Sequence, residues 1–237
     1  MKVLLFGQNA QNIKDLVERI GLKIVDQNPD VVISYGGDGT LLSSERTYPG
    51  IPKLPIRDSQ FCHKCPHHGD EKVLEEMLAG ELKLNEYKKL HTNLAGKDFY
   101  ALNDFVIRNQ HPIHTIRFKI NGKFFIGDGI VVATSFGSTG YFKSVTGQTF
   151  DQALPAGRQG FGLAFNNTTE KINPLFLRDD DSANFKLNRG RATLSFDNSP
   201  DIFTIDEGLE LIFNLSNQVA KIYESSLRCP DCQVIRG

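Results

Sequence analysis

The sequence has no surplus of positive charge to offer a polyanion. Its 27 basic residues face 28 acidic ones, a formal charge of −1, which leaves no electrostatic footprint for DNA or an anionic membrane. Any phosphate site is therefore local. Long apolar runs are also lacking. "MKVLLFGQNAQNIKD" turns polar at Gly7, too soon for the hydrophobic region of a signal peptide, and no later stretch nears the length of a membrane span. The expectation is a soluble, cytoplasmic protein with neither nucleic acid nor membrane as partner. There is no internal repeat, and the absence of tryptophan excludes nothing. No cysteine stands outside a pattern, since the four fall as "CHKC" and "CPDC".

With 237 residues, 40% hydrophobic and 23% charged, the chain can bury one large core or two smaller ones. Two textures divide it. "KVLLF" reads as a buried strand, and Ile13, Leu16, Val17 and Ile20 share one face of a helix that starts near Asn9 and stops at Gly21. "LKIVD", "DVVISYG" and "PKLPIR" read as further strands, and "GDEKVLEEMLAG" as a helix between an Asp start and a Gly end. This is the alternation of an α/β domain with a parallel sheet. After about residue 81 the segments become short, alternating and β-branched, and "INGKFFIGDG" predicts a hairpin turning at Asn121-Gly122. "DQALPAGRQGFG", residues 151–162, reads as a surface loop or insertion.

"VVISYGGDGTLL" places Asp38 between glycines where a strand gives way to a helix. The unpaired N–H groups and positive dipole end of such a junction favour an anion, and Gly36, Gly37 and Gly39 let a phosphate approach the backbone. A carboxylate there repels phosphate, so it needs another job. It can serve a metal that bridges phosphates, or accept the proton of a hydroxyl that attacks phosphorus. A helix N-cap is the alternative that requires no ligand. "DGIVVATSFGSTGY" supplies a second glycine- and hydroxyl-rich loop ending in Tyr141, which could lie against a base or close a plain polar connection. "ALNDFVIR" sets Asn103 and Asp104 side by side in a strand-like run, where both cannot face a core without cost.

In this order and spacing, "GGDGTLL", "LND" and "DGIVVATSFGSTGY" resemble the three signatures of the NAD kinase family, usually written G-G-D-G-T, N-E and D-G-x-x-x-x-T-P-T-G-S-T-A-Y, over roughly residues 1–225. The resemblance implies an N-terminal Rossmann-like α/β domain (1–88), a C-terminal β-sandwich (89–218) that meets it at the active site, and a closing segment (219–237) that returns to the first domain. The implied reaction carries a phosphoryl group from ATP, or polyphosphate in some members, to the adenosine 2′-hydroxyl of NAD, with a divalent ion such as Mg²⁺ alongside ATP. Asp38 matches the family's catalytic Asp, and Gly36, Gly37, Gly39 and Thr40 its phosphate-side loop. Asn103 and Asp104 match the pair that grips the acceptor nucleotide, Asp128, Thr139, Gly140 and Tyr141 match nucleotide-contacting positions, and Asp197 matches a later Asp. A homodimer or homotetramer is the assembly such a resemblance favours.

The departures are specific. Asp104 stands where the family has Glu, Ser135 and Phe136 replace a Pro-Thr pair, and Gly140 replaces Ala. After the third long strand "PIRDSQFCHKCPHHGD" replaces a glycine-bearing loop. A nucleotide-binding descendant with weakened turnover and a lipid kinase of the diacylglycerol type therefore remain alternatives. Cys62, Cys65, Cys229 and Cys232 make two C-x-x-C knuckles, the spacing of a structural four-thiolate zinc site, with free thiols or a redox pair as the other readings. Arg57, Lys143, Arg178, Arg189 and Arg191 are candidate phosphate partners among which the sequence does not choose.

Overall fold

The apolar run "VVISY" becomes the middle of a parallel sheet, with all five residues buried. A computed structural model describes residues 1–58, 69–150 and 160–224 and separates the chain into two units, Met1–Tyr87 with the stretch from Val219, and Lys88–Gln218.

The first unit contains β1 (Lys2–Phe6), α1 (Lys14–Arg19), β2 (Lys23–Ile24), β3 (Val31–Tyr35), α2 (Asp38–Thr47), β4 (Lys53–Ile56), α3 (Asp70–Ala79) and the start of β5 (Lys83–Leu94). Its strands run parallel in the order β2-β1-β3-β4. A strand in such a sheet is enclosed on both faces, which is why β3 shows no alternation. Val17, Val73, Leu74 and Met77 of α1 and α3 pack with Val3, Val31, Ile33, Leu54 and Ile56. Burial of each such side chain contributes about 1.5–3 kcal/mol. The helix expected from Asn9 is broken into a 3-10 turn, Ala10–Ile13, and the short α1. Its first bonds, Ala10 N–H to the Gly7 carbonyl and Asn12 N–H to the Asn9 carbonyl, span three residues and tighten the entry. α3 ends as expected at Gly80, in the left-handed conformation at φ 73°.

The second unit continues β5 and adds β6 (Lys97–Ala101), β7 (Asp104–Asn109), β8 (Ile116–Ile120), β9 (Lys123–Gly127), β10 (Gly129–Thr134), α4 (Tyr141–Thr146), β11 (Gly160–Asn166), β12 (Leu175–Arg178), β13 (Ser182–Arg189), β14 (Ala192–Phe196), β15 (Phe203–Ile205) and β16 (Glu210–Glu224). Two antiparallel layers form a sandwich, one in the order β12-β11-β10-β7-β14-β15 and the other containing β16-β13-β8-β9 with β5 and β6. Phe105, Phe118, Phe161, Phe185 and Phe213 fill the space between them. The last residues of β16 belong to the first unit, where Ile222 pairs in parallel with Lys53 of β4. The β8–β9 hairpin turns at Asn121 (φ 48°) and Gly122 (φ 82°), the positive pair a two-residue turn demands.

All six residues of β10 are buried, although an antiparallel strand usually shows one face to water. Ile130 and Val132 enter the sandwich core, while Val131 and Ala133 pack with Phe142, Phe150 and Ala164 on the other face. α4 thus lies on the outside of this sheet. Within the expected 151–162 loop, residues 151–159 lie outside the described ones, and Gly160–Gly162 instead open β11. A Cβ on Gly162 would sit 2.6 Å from the Phe150 ring, so the glycine admits the aromatic cover.

Candidate active site

In the first unit the glycine loop is built by strand ends that approach too closely for side chains. A Cβ on Gly7, after β1, would fall 2.1 Å from the Tyr35 carbonyl oxygen, and one on Gly36 would fall 2.4 Å from the Thr40 hydroxyl. The Gly36 N–H donates to the Ile56 carbonyl at 2.8 Å, fastening the loop to β4. Gly37, not Asp38, caps α2, and it contributes no side-chain bond. Asp38 is the first helical residue and its side chain is 75% exposed, with the Arg57 guanidinium 4.0 Å away. Arg57, one of the five basic candidates, is thus placed beside Asp38. Such exposed pairs contribute about 0–1 kcal/mol, so the contact marks proximity more than stability.

Beneath this loop α2 is held by a contact the sequence does not announce. Lys53 of β4 is fully buried and donates to the Glu45 carboxylate and to the Tyr48 and Ile51 carbonyls, the last two at 2.6 Å. On the adjoining rim the Asn9 amide donates to buried Asp58 at 2.7 Å, and burial, then the Asp58 charge, raises the Asp70 carboxyl above its usual range.

In the second unit the Asn103-Asp104 pair sits where the chain enters β7. Asp197, 2% exposed, turns its carboxylate onto this backbone and accepts the N–H groups of Leu102 (2.6 Å), Asn103 (2.7 Å) and Asp104 (3.3 Å). Three donors hold Asp197 as a carboxylate. Asp104 is also buried, and desolvation, then the Asp197 charge, pushes its carboxyl up to about 7. The Asn103 amide oxygen is enclosed and accepts no hydrogen bond among the described residues. The Thr134 N–H donates to the Asn103 carbonyl at 2.9 Å, and the Thr134 hydroxyl donates to the Leu102 carbonyl and accepts the Gly137 N–H. A Cβ on Gly137 would lie 2.3 Å from the Asn103 carbonyl oxygen. The second and third motifs are therefore one packed structure.

Within that structure Thr139 and Gly140 are exposed, and Tyr141 is half-buried with its hydroxyl accepting from Asn166 at 3.3 Å. Asp128 lies in the turn between β9 and β10, where the amides of Asn167 (2.8 Å) and Asn109 (3.4 Å) donate to it. Gly129 is required beside it, because a Cβ there would meet the Ile107 carbonyl oxygen at 1.9 Å. Gly129 belongs to the Asp-Gly that opens the third motif, whereas Asn166 and Asn167 carry no signal in one sequence. Their role appears only once β10 and β11 are paired.

Cys62, Cys65, Cys229 and Cys232 lie outside the described residues, and among the described residues no group of three or more His, Cys, Asp or Glu is placed to hold a metal ion. No described helix is long and apolar enough to cross a membrane.

No family model matches the chain. Individual proteins do. NAD kinase 2 of Bacillus subtilis is 28% identical over 193 residues, 73% of this chain and 71% of that protein. The NAD kinase of Sulfurisphaera tokodaii is 32% identical over 160 residues, 62% of this chain and 63% of its own length. The chain is similar to NAD kinases over most of its length. An NAD kinase from Archaeoglobus fulgidus, crystallised in complex with ATP, shares the fold at a TM-score of 0.76 and 17% identity, covering 99% of this chain and 97% of its own. The α/β unit and the β-sandwich are thus the two parts of an NAD kinase fold.

Proposed function

We infer that the chain transfers the γ-phosphoryl group of ATP to the adenosine 2′-hydroxyl of NAD, giving NADP and ADP. Likeness to NAD kinases supports the reaction, and one geometric observation carries the assignment of roles: Asp38 opens α2 as an exposed carboxylate between glycines and is not the helix cap. In the transfer the 2′-oxygen forms a bond to Pγ, the bond from Pγ to the β–γ bridging oxygen breaks, and ADP leaves with that electron pair. The hydroxyl proton passes to the Asp38 carboxylate. A loose transition state needs that proton removed late, so orientation of the hydroxyl matters more than basicity. Gly36, Gly37, Gly39 and Thr40 take the phosphate side, with Arg57 adding positive charge beside Asp38. The divalent ion that travels with ATP supplies neutralisation of phosphate charge, and Asp38 is the loop carboxylate suited to face it.

Asn103, Asp104, Thr139, Gly140 and Tyr141 take the acceptor nucleotide. The enclosed amide oxygen of Asn103 suits the exocyclic amine or a hydroxyl of that nucleotide. Asp104, able to hold a proton near neutrality, can donate or accept at a ribose hydroxyl. Asp197 supports Asn103 and Asp104 through the 102–104 backbone, and Asp128, held by the Asn109 and Asn167 amides, remains a candidate nucleotide contact. A homodimer or homotetramer and a four-thiolate zinc site are parts of the same reading; the zinc site rests on the two C-x-x-C spacings.

A coupled assay for NADP from NAD and Mg-ATP tests the reaction. Sustained NADP formation is the expected result. NAD binding without any NADP would leave a nucleotide-binding descendant of the family, and indifference to NAD would remove the reading altogether.

A further inference from the structure

A cavity of about 660 Å³ opens in the second unit, lined by the turn from Gln110 to Arg117 and by Arg189, Gly190 and Arg191. None of the residues placed at the Asp38 loop or with the acceptor nucleotide lines it, although Arg189 and Arg191 are two of the five basic candidates the sequence left open. Its wall holds three guanidinium groups, two imidazoles and no carboxylate, in a chain whose overall charge is close to zero.

Two features set this cavity apart from a solvated basic surface. A register shift between Leu187 and Arg189 brings Arg189 directly opposite Arg117 on the adjacent antiparallel strand. Like charges in that relation repel, and bulges of this kind commonly re-aim a side chain. Neither Arg117 nor Arg189 forms an ion pair among the described residues, while Arg191 is matched by Asp206 at 3.0 Å. The opposing pair is left as a net double positive charge.

The turn across from it is fixed in advance. Asn109, 9% exposed, donates its amide to the carbonyls of His111 (3.0 Å) and His114 (2.9 Å), and the two imidazoles lie 4.7 Å apart at 36°. Gly190 closes the other wall at φ 99°, where a Cβ would lie only 3.1 Å from Ile116. A wall that sets two opposed guanidinium groups beside two imidazoles suits an anion with several charged oxygens.

We propose that this cavity binds a condensed phosphate chain, the shared chemistry of free polyphosphate and of nucleotide phosphates. The Arg117–Arg189 pair grips the oxygens, and the His111 and His114 rings add N–H donors at the rim. The volume fits an ordinary ligand pocket.

Calorimetric titration of the full chain with tripolyphosphate at low salt tests this, using the native protein, R117Q/R189Q and R117K/R189K. Circular dichroism checks that each is folded. Native protein is expected to show a tripolyphosphate-binding component that R117Q/R189Q loses or weakens at least tenfold. R117K/R189K, which keeps the charge, is expected to retain most of it, and added salt to reduce it. A second titration with ATP assigns the source: loss of a matching ATP component in R117Q/R189Q points to nucleotide phosphates, and an unchanged ATP titration to free polyphosphate. Equal tripolyphosphate binding by native protein and R117Q/R189Q, or no binding by native protein, overturns the proposal. Because the readout is binding and the variants leave Asp38 and the acceptor loop intact, failure here would not bear on the kinase reaction.

Discussion

Asp197 and Asp104 bind each other's backbone: the Asp197 carboxylate accepts the Asp104 N–H at 3.3 Å, and the Asp197 N–H donates to the Asp104 carbonyl at 3.3 Å. Two buried carboxyls are thereby locked side by side at the start of β7. They cannot both ionise without cost, and the three N–H groups on Asp197 decide that Asp104 takes the proton.

Stability should therefore carry an Asp104 signature. Its carboxyl is raised from 3.8 to about 7 in the folded chain, so between those values the folded state binds the extra proton. The contribution is fully present below pH 4 and is lost as pH rises through 7, with a magnitude on the order of a few kcal/mol. Asp104→Asn is neutral throughout. The difference in Tm between Asp104→Asn and the native chain should grow in favour of the variant from pH 5 to pH 8, and a constant difference would remove the assigned protonation.

Asp38→Asn should fold normally, since the side chain is exposed and is not the α2 cap. Turnover should fall by about 10²–10⁴, the scale of a positioned acid–base group. NADP formation measured at saturating NAD and Mg-ATP checks this; near-native turnover would strip Asp38 of its role.

Gly137→Ala places a methyl group 2.3 Å from the Asn103 carbonyl oxygen, a backbone atom that cannot swing aside. The expected cost is about 1–3 kcal/mol of stability. KM for NAD should rise together with it, because the displaced segment bears Asn103 and Asp104. A stable variant with native KM would separate the second motif from the third.

Lys53→Met leaves the buried Glu45 carboxylate without its cation and should cost about 3–5 kcal/mol in urea denaturation. Lys53→Met/Glu45→Leu should recover part of that loss. Full recovery is not expected, because the Tyr48 and Ile51 carbonyls lose their donor. A double variant no more stable than the single one would contradict the ion-pair account.

If Cys62, Cys65, Cys229 and Cys232 hold zinc, elemental analysis of purified chain should find about one zinc per protein. A chelator should then release it with loss of stability. Protein isolated without zinc and indifferent to the metal would return these residues to free thiols or a redox pair.

Much of the fold was legible because its signals are local. The "VVISY" run announces an enclosed parallel strand, Asn121-Gly122 announces a hairpin, and Gly80 ends a helix. Asp38 between glycines likewise exposes itself. What the sequence hid depends on residues far apart in the chain meeting. Lys53 is only one residue of the predicted strand "PKLPIR" until Glu45 and two carbonyls surround it. Nothing in the sequence shows that Asp197 accepts three N–H groups from residues 102–104. The glycines at 7, 129 and 137 look like loop residues, yet each marks a place where one backbone touches another. The 3-10 entry at Ala10–Ile13 defeated a periodicity that treats the whole segment as one helix.

The parallel pairing of Ile222 with Lys53 has a consequence for synthesis on the ribosome. The nascent α/β unit waits with β4 as an open, sticky border while more than a hundred later residues are still being translated, and the sandwich strands emerge first. Maturation of the Asp38 loop's own unit is thus timed by a partner strand that arrives after every other described strand.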